Sequence, residues 1–115
     1  MHTVVETPVF IRSAMQAGMT ETELNEIRTF FAENPAAGDL MPGTGGARKI
    51  RFAAKGKGKS GGYRVITFYT GENIPVFLLD VYTKGQKIDL SQEEKNTLKR
   101  LLRRMAEIYG GKGDE

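Results

Sequence analysis

The chain has no cysteine, which excludes a disulfide framework and a thiolate metal site. Its one histidine, His2, stands at an end expected to be mobile. A histidine-based metal site and a Ser-His-Asp arrangement are therefore set aside. There is no long apolar run and no signal-like hydrophobic segment, so a cytoplasmic location with no membrane partner is the expectation. The fourth absence is local. Between Asp39 and Glu72 there is no acidic residue, while Arg48, Lys49, Arg51, Lys55, Lys57, Lys59 and Arg64 all fall in that stretch. Such a cluster repels itself, and a polyanion such as nucleic acid offsets the repulsion.

What is present bounds the fold. The 115 residues suit one domain, residues 1–115, and the 39% apolar share suffices for one modest core. With 27% charged residues alongside aromatic and β-branched ones, the chain is not of a disordered type. Charge is uneven: residues 1–39 carry net −4, residues 40–90 net +6 and residues 91–115 net +1. That distribution implies a polarised surface.

Periodicity predicts a short strand over Thr3–Val5 and a helix over Phe10–Gln16, with Pro8 near its start and Gly18 near its end. Thr20 and Glu23 form a capping-box pattern that opens a second helix, with Leu24, Ile27, Phe30 and Phe31 at helical spacing. Residues Ala36–Gly46 read as a loop. Three strands follow, over Ala47–Ala53, Tyr63–Tyr69 and Pro75–Tyr82, the last two joined by a short turn as an antiparallel hairpin. Ser91 and Glu94 open a final helix reaching to about Tyr109, with Leu98, Leu101, Leu102, Met105 and Ile108 on its apolar face. The order is β-α-α-β-β-β-α. The expected class is α+β, with helices packed on one face of a mainly antiparallel sheet.

The segment Ala53–Ser60 nearly matches a phosphate-binding P-loop, but Ala53 replaces the first glycine and a strand follows where a helix is needed. A mobile arm placing Lys55, Lys57 and Lys59 on RNA phosphates is the favoured reading over a merely solvated loop. Lys49 and Arg51 share one strand face, about 6.5–7 Å apart, a spacing that suits one phosphate or two adjacent ones. Arg64 shares parity with Ile66 and Phe68. It either forms a structural ion pair with Glu72 or Asp80, or holds a phosphate bidentately. Tyr63, Tyr69 and Tyr82 interleave with these cations, as base-stacking residues do, with core packing expected of at least one. The basic face of the last helix, Lys95, Lys99, Arg100, Arg103 and Arg104, is either a solvated face or an extension of the footprint.

The segments GTGGARKIRF, GKSGGYRVITFY and IPVFLLDVYTKGQKIDLS, followed by a basic helix, resemble the RelE/HigB toxins of bacterial type II toxin–antitoxin systems, within the RelE/ParE superfamily. The resemblance spans about residues 40–105. It implies a small α+β domain that cleaves mRNA in the ribosomal A site and inhibits translation. It also implies mRNA and ribosomal RNA as partners, together with a neutralising antitoxin carrying a helix-turn-helix domain. The family's basic pair falls on Lys49 and Arg51, its arginine after the glycines on Arg64, and its basic residue after the third strand on Lys84. The C-terminal tyrosine of some members falls near Leu90, so this chain lacks it and Tyr82 is the nearest substitute.

RNA can be cut by its own 2′-hydroxyl attacking the adjacent phosphate, which needs no metal or cofactor. Without a placed histidine, lysine or tyrosine must move the protons. On this reading Lys49 or Lys84 is the acid or base, and Arg51 and Arg64 clamp phosphate. Tyr82 stacks a base or shuttles a proton, while Arg48, Lys55, Lys57 and Lys59 hold RNA. Two alternatives stand beside it: a ParE-like toxin that poisons gyrase, and a non-catalytic RNA-binding module.

Overall fold

A computed structural model of the chain describes residues 2–53, 62–71 and 73–110. Strand β1 (Val4–Glu6) is followed by α1 (Pro8–Gln16), α2 (Glu21–Glu33), β2 (Asp39–Leu40), β3 (Arg48–Phe52), β4 (Tyr63–Phe68), β5 (Val76–Thr83) and α3 (Gln92–Met105). A π-helical turn, Ala106–Gly110, ends the described chain. The sheet order is β1-β5-β4-β3-β2. Among the described residues, β1 and β5 pair in parallel and the other neighbours are antiparallel. The α+β class and the expected element order hold, with β2 added inside the expected loop. β2 has two exposed residues, too short and too polar to show a period.

Each helix starts where its cap dictates. Thr7 Oγ1 accepts from Phe10 N (3.2 Å) and donates to the Leu78 carbonyl (3.0 Å), so one hydroxyl caps α1 and ties it to β5. Pro8 occupies the first turn of α1, where no N–H is needed. Both expected capping boxes form, Thr20 with Glu23 and Ser91 with Glu94.

The helices divide between the two faces, which differs from the expectation of one covered face. Phe10 and Ala14 of α1 and Ile27 and Phe31 of α2 pack with Tyr63, Val65, Val76 and Leu78. Leu102 of α3 packs with Ile66, Phe68, Phe77, Leu79 and Tyr82 on the other side. The reason lies in β4 and β5, whose residues are apolar on both faces, so neither face can be left to water.

One irregularity positions the site. Ile66 pairs with Asp80, but Thr67 pairs with Leu78, so β5 carries a bulge at Leu79. Strict alternation would put Tyr82 on the same face as Leu78. The bulge instead turns Tyr82 to the α3 face, directly opposite Arg64.

Candidate nucleic-acid interface

Alternation along β3 sends Ile50 and Phe52 into the α1–α2 core and leaves Lys49 and Arg51 on the other face. Arg51 pairs directly with Arg64 of β4. Like charges directly opposite in a sheet are destabilising. Neither arginine has a carboxylate at ion-pair distance among the described residues. The ion pair considered for Arg64 with Asp80 is not formed, and Glu72 lies outside the described residues.

Gly62 explains how the two guanidinium groups meet. A Cβ there would stand 3.8 Å from Arg64 Nη1 and 3.9 Å from Arg51 Nε, and 3.3 Å from the Phe52 carbonyl oxygen. Gly62 has φ +149°, a backbone setting side chains rarely adopt. The two arginine nitrogens are thus within about 8 Å of each other, a gap that one phosphate group bridges with a charge-assisted bond on each side. At that separation their repulsion is of order 0.5–2 kcal/mol, depending on local dielectric.

The two arginines line an open cleft of about 500 Å³ together with Gly38, Asp39, Lys49, Ile50 and Ile88. Lys49 donates to Asp89 Oδ1 at 3.3 Å, and Lys95 of α3 lies 3.8 Å from Asp89 Oδ2. The Leu90 N–H also donates to Asp89 Oδ1 (2.7 Å). That bond, ahead of the Lys49 and Lys95 charges, holds the Asp89 carboxyl below its ordinary range.

Tyr82 is 2% exposed and its hydroxyl has no hydrogen-bond partner among the described residues. Burial pushes its phenol up to about 12, the Asp89 charge adds to this, and Arg64 opposes it. The phenol therefore keeps its proton at neutral pH, and it lies outside the cleft lining. Its ring is too buried to stack on a base, which corrects that part of the expectation. Lys87 Nζ sits 5.3 Å from the Tyr82 ring centroid and pairs with Glu94 at 2.6 Å.

The remaining expected residues fall elsewhere. Arg48 alternates to the opposite face and donates to the Gly38 carbonyl at 3.2 Å. Lys84 sits in the exposed turn after β5, outside the cleft lining. Lys55, Lys57 and Lys59 lie outside the described residues. Tyr63 is core, its hydroxyl donating to Glu23 Oε1 at 3.0 Å. Tyr69 pairs with His2, hydroxyl to Nε2 at 3.0 Å. His2, expected to be mobile, is further tied by its N–H to the Ala32 carbonyl (2.8 Å). Tyr69 lies five residues along from Arg64, about 16 Å away on an extended chain, so His2 takes no part in the cleft.

Sequence reasoning missed Asp39, Lys87, Ile88 and Asp89. Asp39 and Asp89 flank the acid-free stretch and the last strand, but only the register and the turn after β5 bring them to Lys49. Among the described residues, no group of three or more His, Cys, Asp or Glu side chains could hold a metal ion, and no helix is long and apolar enough to cross a membrane.

Residues 2–112 match the family model described as the RelE toxin of the RelE/RelB toxin–antitoxin system. Among solved structures, the chain is similar to an arginine double mutant of the E. coli toxin RelE in the free state. That match has 16% identity and a TM-score of 0.49, covering 76% of this chain and 87% of the other. It is also similar to a chain of the E. coli DinJ–YafQ toxin–antitoxin complex, at 10% identity and a TM-score of 0.41, covering 76% and 98%. With nearly its whole length matched by the family model, the chain belongs to the RelE toxin family of toxin–antitoxin systems.

Proposed function

We propose that this toxin is an endoribonuclease that cuts mRNA held in the ribosomal A site, and that a cognate antitoxin neutralises it. The observation that carries this reading is the cross-strand pair Arg51–Arg64, converging over Gly62 with no carboxylate partner among the described residues. A like-charge pair held in place by the sheet is the arrangement a scissile phosphate needs, because the developing charge meets donors already oriented toward it.

In the proposed reaction the ribose 2′-hydroxyl attacks the adjacent phosphorus and the 5′-oxygen leaves. Its products are a 2′,3′-cyclic phosphate and a free 5′-hydroxyl. Arg51 and Arg64 hold the non-bridging oxygens. Tyr82 lies opposite Arg64, but its hydroxyl is buried and outside the cleft lining, so the leaving oxygen takes its proton from water. Lys49, as the neutral amine, accepts the 2′-hydroxyl proton once substrate has drawn it from Asp89. Lys84, in its exposed turn, is left out of this site. With Lys49 as its acid–base group, the site relies on the ribosome to orient the mRNA.

The test is a cleavage assay on ribosomes programmed with mRNA. Wild-type protein is expected to cut, and Arg64→Ala to cut at least about 100-fold more slowly while keeping its circular dichroism spectrum. Wild-type protein that leaves ribosome-bound mRNA intact but inhibits gyrase supercoiling would favour the ParE-like alternative and overturn the reading.

A further inference from the structure

The cleft is larger than a phosphate needs. Its volume of about 500 Å³ falls within the range of small-ligand sites, roughly 300–1,000 Å³. Two of its lining residues do nothing for an anion. Asp39 belongs to β2 and pairs in register with Lys49, yet the Lys49 ammonium turns to Asp89 instead. Asp39 makes no ion pair among the described residues. Ile88 lines the same cleft with 84% of its surface exposed. A carboxylate works against phosphate binding, and an exposed isoleucine is indifferent to it. Gly38, at this end of the cleft, has φ +104° and lies close to β3, where a Cβ would stand 3.0 Å from the Lys49 carbonyl oxygen.

We propose that Asp39 and Ile88 form a nucleobase subsite beside the phosphate clamp, and that Asp39 is a specificity-determining residue favouring guanine. An ionised carboxylate offers two oxygens and only accepts hydrogen bonds. Guanine presents two donors side by side, N1–H and N2–H, so both carboxylate oxygens are used. Adenine and cytosine each offer an amino donor beside a ring nitrogen acceptor, which the carboxylate repels. Uracil offers a single N–H between two carbonyl oxygens. Ile88 supplies an apolar surface for the base to pack on, and that contact does not distinguish one base from another. Discrimination therefore lies with Asp39, because a site built for two donors rejects a base that leaves its acceptors unmatched.

The proposal rests on reading Arg51 and Arg64 as a phosphate clamp, and the test separates the two. Purified full-length protein is titrated with inorganic phosphate and with the 3′-monophosphates of guanosine, adenosine, cytidine and uridine, followed by calorimetry or amide chemical shifts. No ribosome and no cleavage are required. Guanosine 3′-monophosphate is expected to bind at least about tenfold more tightly than the other three. Asp39→Asn and Asp39→Ala should each bring it down to their level without a change in melting temperature. Ile88→Ser should weaken all four nucleotides by a similar factor relative to inorganic phosphate. Four equal affinities in the wild type, or a guanosine preference that survives Asp39→Ala, overturn the subsite and leave the phosphate clamp standing. Failure of inorganic phosphate and of every nucleotide to bind overturns both.

Discussion

Two tyrosines, one on each face of the sheet, show how differently the two faces are made. Tyr63 and Tyr82 are each 2% exposed, and burial pushes each phenol up to about 12. On the α1–α2 face, Tyr63 donates to Glu23, and the neighbours Phe10, Phe31, Val65 and Val76 are fully buried. On the α3 face, the Tyr82 hydroxyl has no partner among the described residues, and Tyr82 stands opposite Arg64, which in turn pairs with Arg51. The first face also buries a hydroxyl with no hydrogen-bond partner among the described residues, Thr67 Oγ1. The second starts as core at Ile66, Phe77 and Leu102 and then sets a like-charge pair beside the buried Tyr82 hydroxyl. A buried orphan hydroxyl occurs on both faces, so the like-charge pair is the departure that marks where stability has been given up for function.

Core truncation should separate the faces most sharply. Phe31→Ala on the α1–α2 face is expected to cost about 3–5 kcal/mol in urea unfolding, since a fully buried ring leaves a cavity. Arg64→Ala is expected to change stability by less than about 0.5 kcal/mol, or to raise it, because it relieves the repulsion with Arg51. A loss of several kcal/mol on Arg64→Ala would mean the residue is structural, and the contrast between the faces would fail at its centre.

Gly62→Ala is the next largest effect and falls on both properties. Its φ of +149° and the 3.3 Å approach to the Phe52 carbonyl oxygen predict a loss of about 1–3 kcal/mol. The methyl group would also enter the space between the two guanidinium groups. A variant that keeps its wild-type melting temperature and its RNA cleavage would show that the convergence over Gly62 is incidental.

The tyrosines themselves give a pair of opposed predictions. Tyr63→Phe is expected to cost about 1–2 kcal/mol at pH 7 by removing the bond to Glu23. Tyr82→Phe is expected to leave stability unchanged or raise it by up to about 1 kcal/mol, and to leave cleavage unchanged, because the buried hydroxyl does not reach the cleft. Their pH dependence has a definite sign. Each phenol ionises near 10 in the unfolded chain and near 12 in the folded one, so its contribution is complete below pH 10 and is lost as pH rises through 12. The loss is up to about 2.7 kcal/mol for each, and each phenylalanine variant should flatten the alkaline limb by its own share. Two variants with identical pH 7 stabilities would erase the distinction between the faces.

Much of the fold was legible because it rests on local signals. The two capping boxes, Pro8 at the start of α1 and the period-2 pattern of β3 each act within a few residues. The candidate site was legible only as far as strand parity reaches: Lys49 and Arg51 share a face by alternation, and Arg64 joins them by register. What was hidden depends on long-range geometry. The bulge at Leu79 leaves no mark in composition, yet it decides which face Tyr82 meets. The division of helices between faces depended on recognising β4 as apolar on both sides despite Arg64. Asp89 reaches Lys49 across 40 residues through a turn that no periodicity describes.

The smallest expected effect concerns that turn. Asp89 neutralises Lys49 in the absence of substrate, so the charged end of the α3 face is partly masked. Asp89→Asn removes the mask. The carboxylate is 45% exposed, so its ion pairs are screened and the change in stability at pH 7 should stay under about 1 kcal/mol. The Asp89 carboxyl is held below its ordinary range, so its small contribution is present above the unfolded value and fades as pH falls through the folded one. The wild type should therefore lose slightly more stability than the variant on acidification. The informative measurement is RNA affinity against salt. With Lys49 free to meet a phosphate, Asp89→Asn should bind a short single strand more tightly at low salt, and its log–log slope should steepen by about 0.7, the share of one added phosphate contact. Weaker binding at low salt would show that Asp89 holds Lys49 in its working position, and the turn after β5 would then belong to the site's architecture.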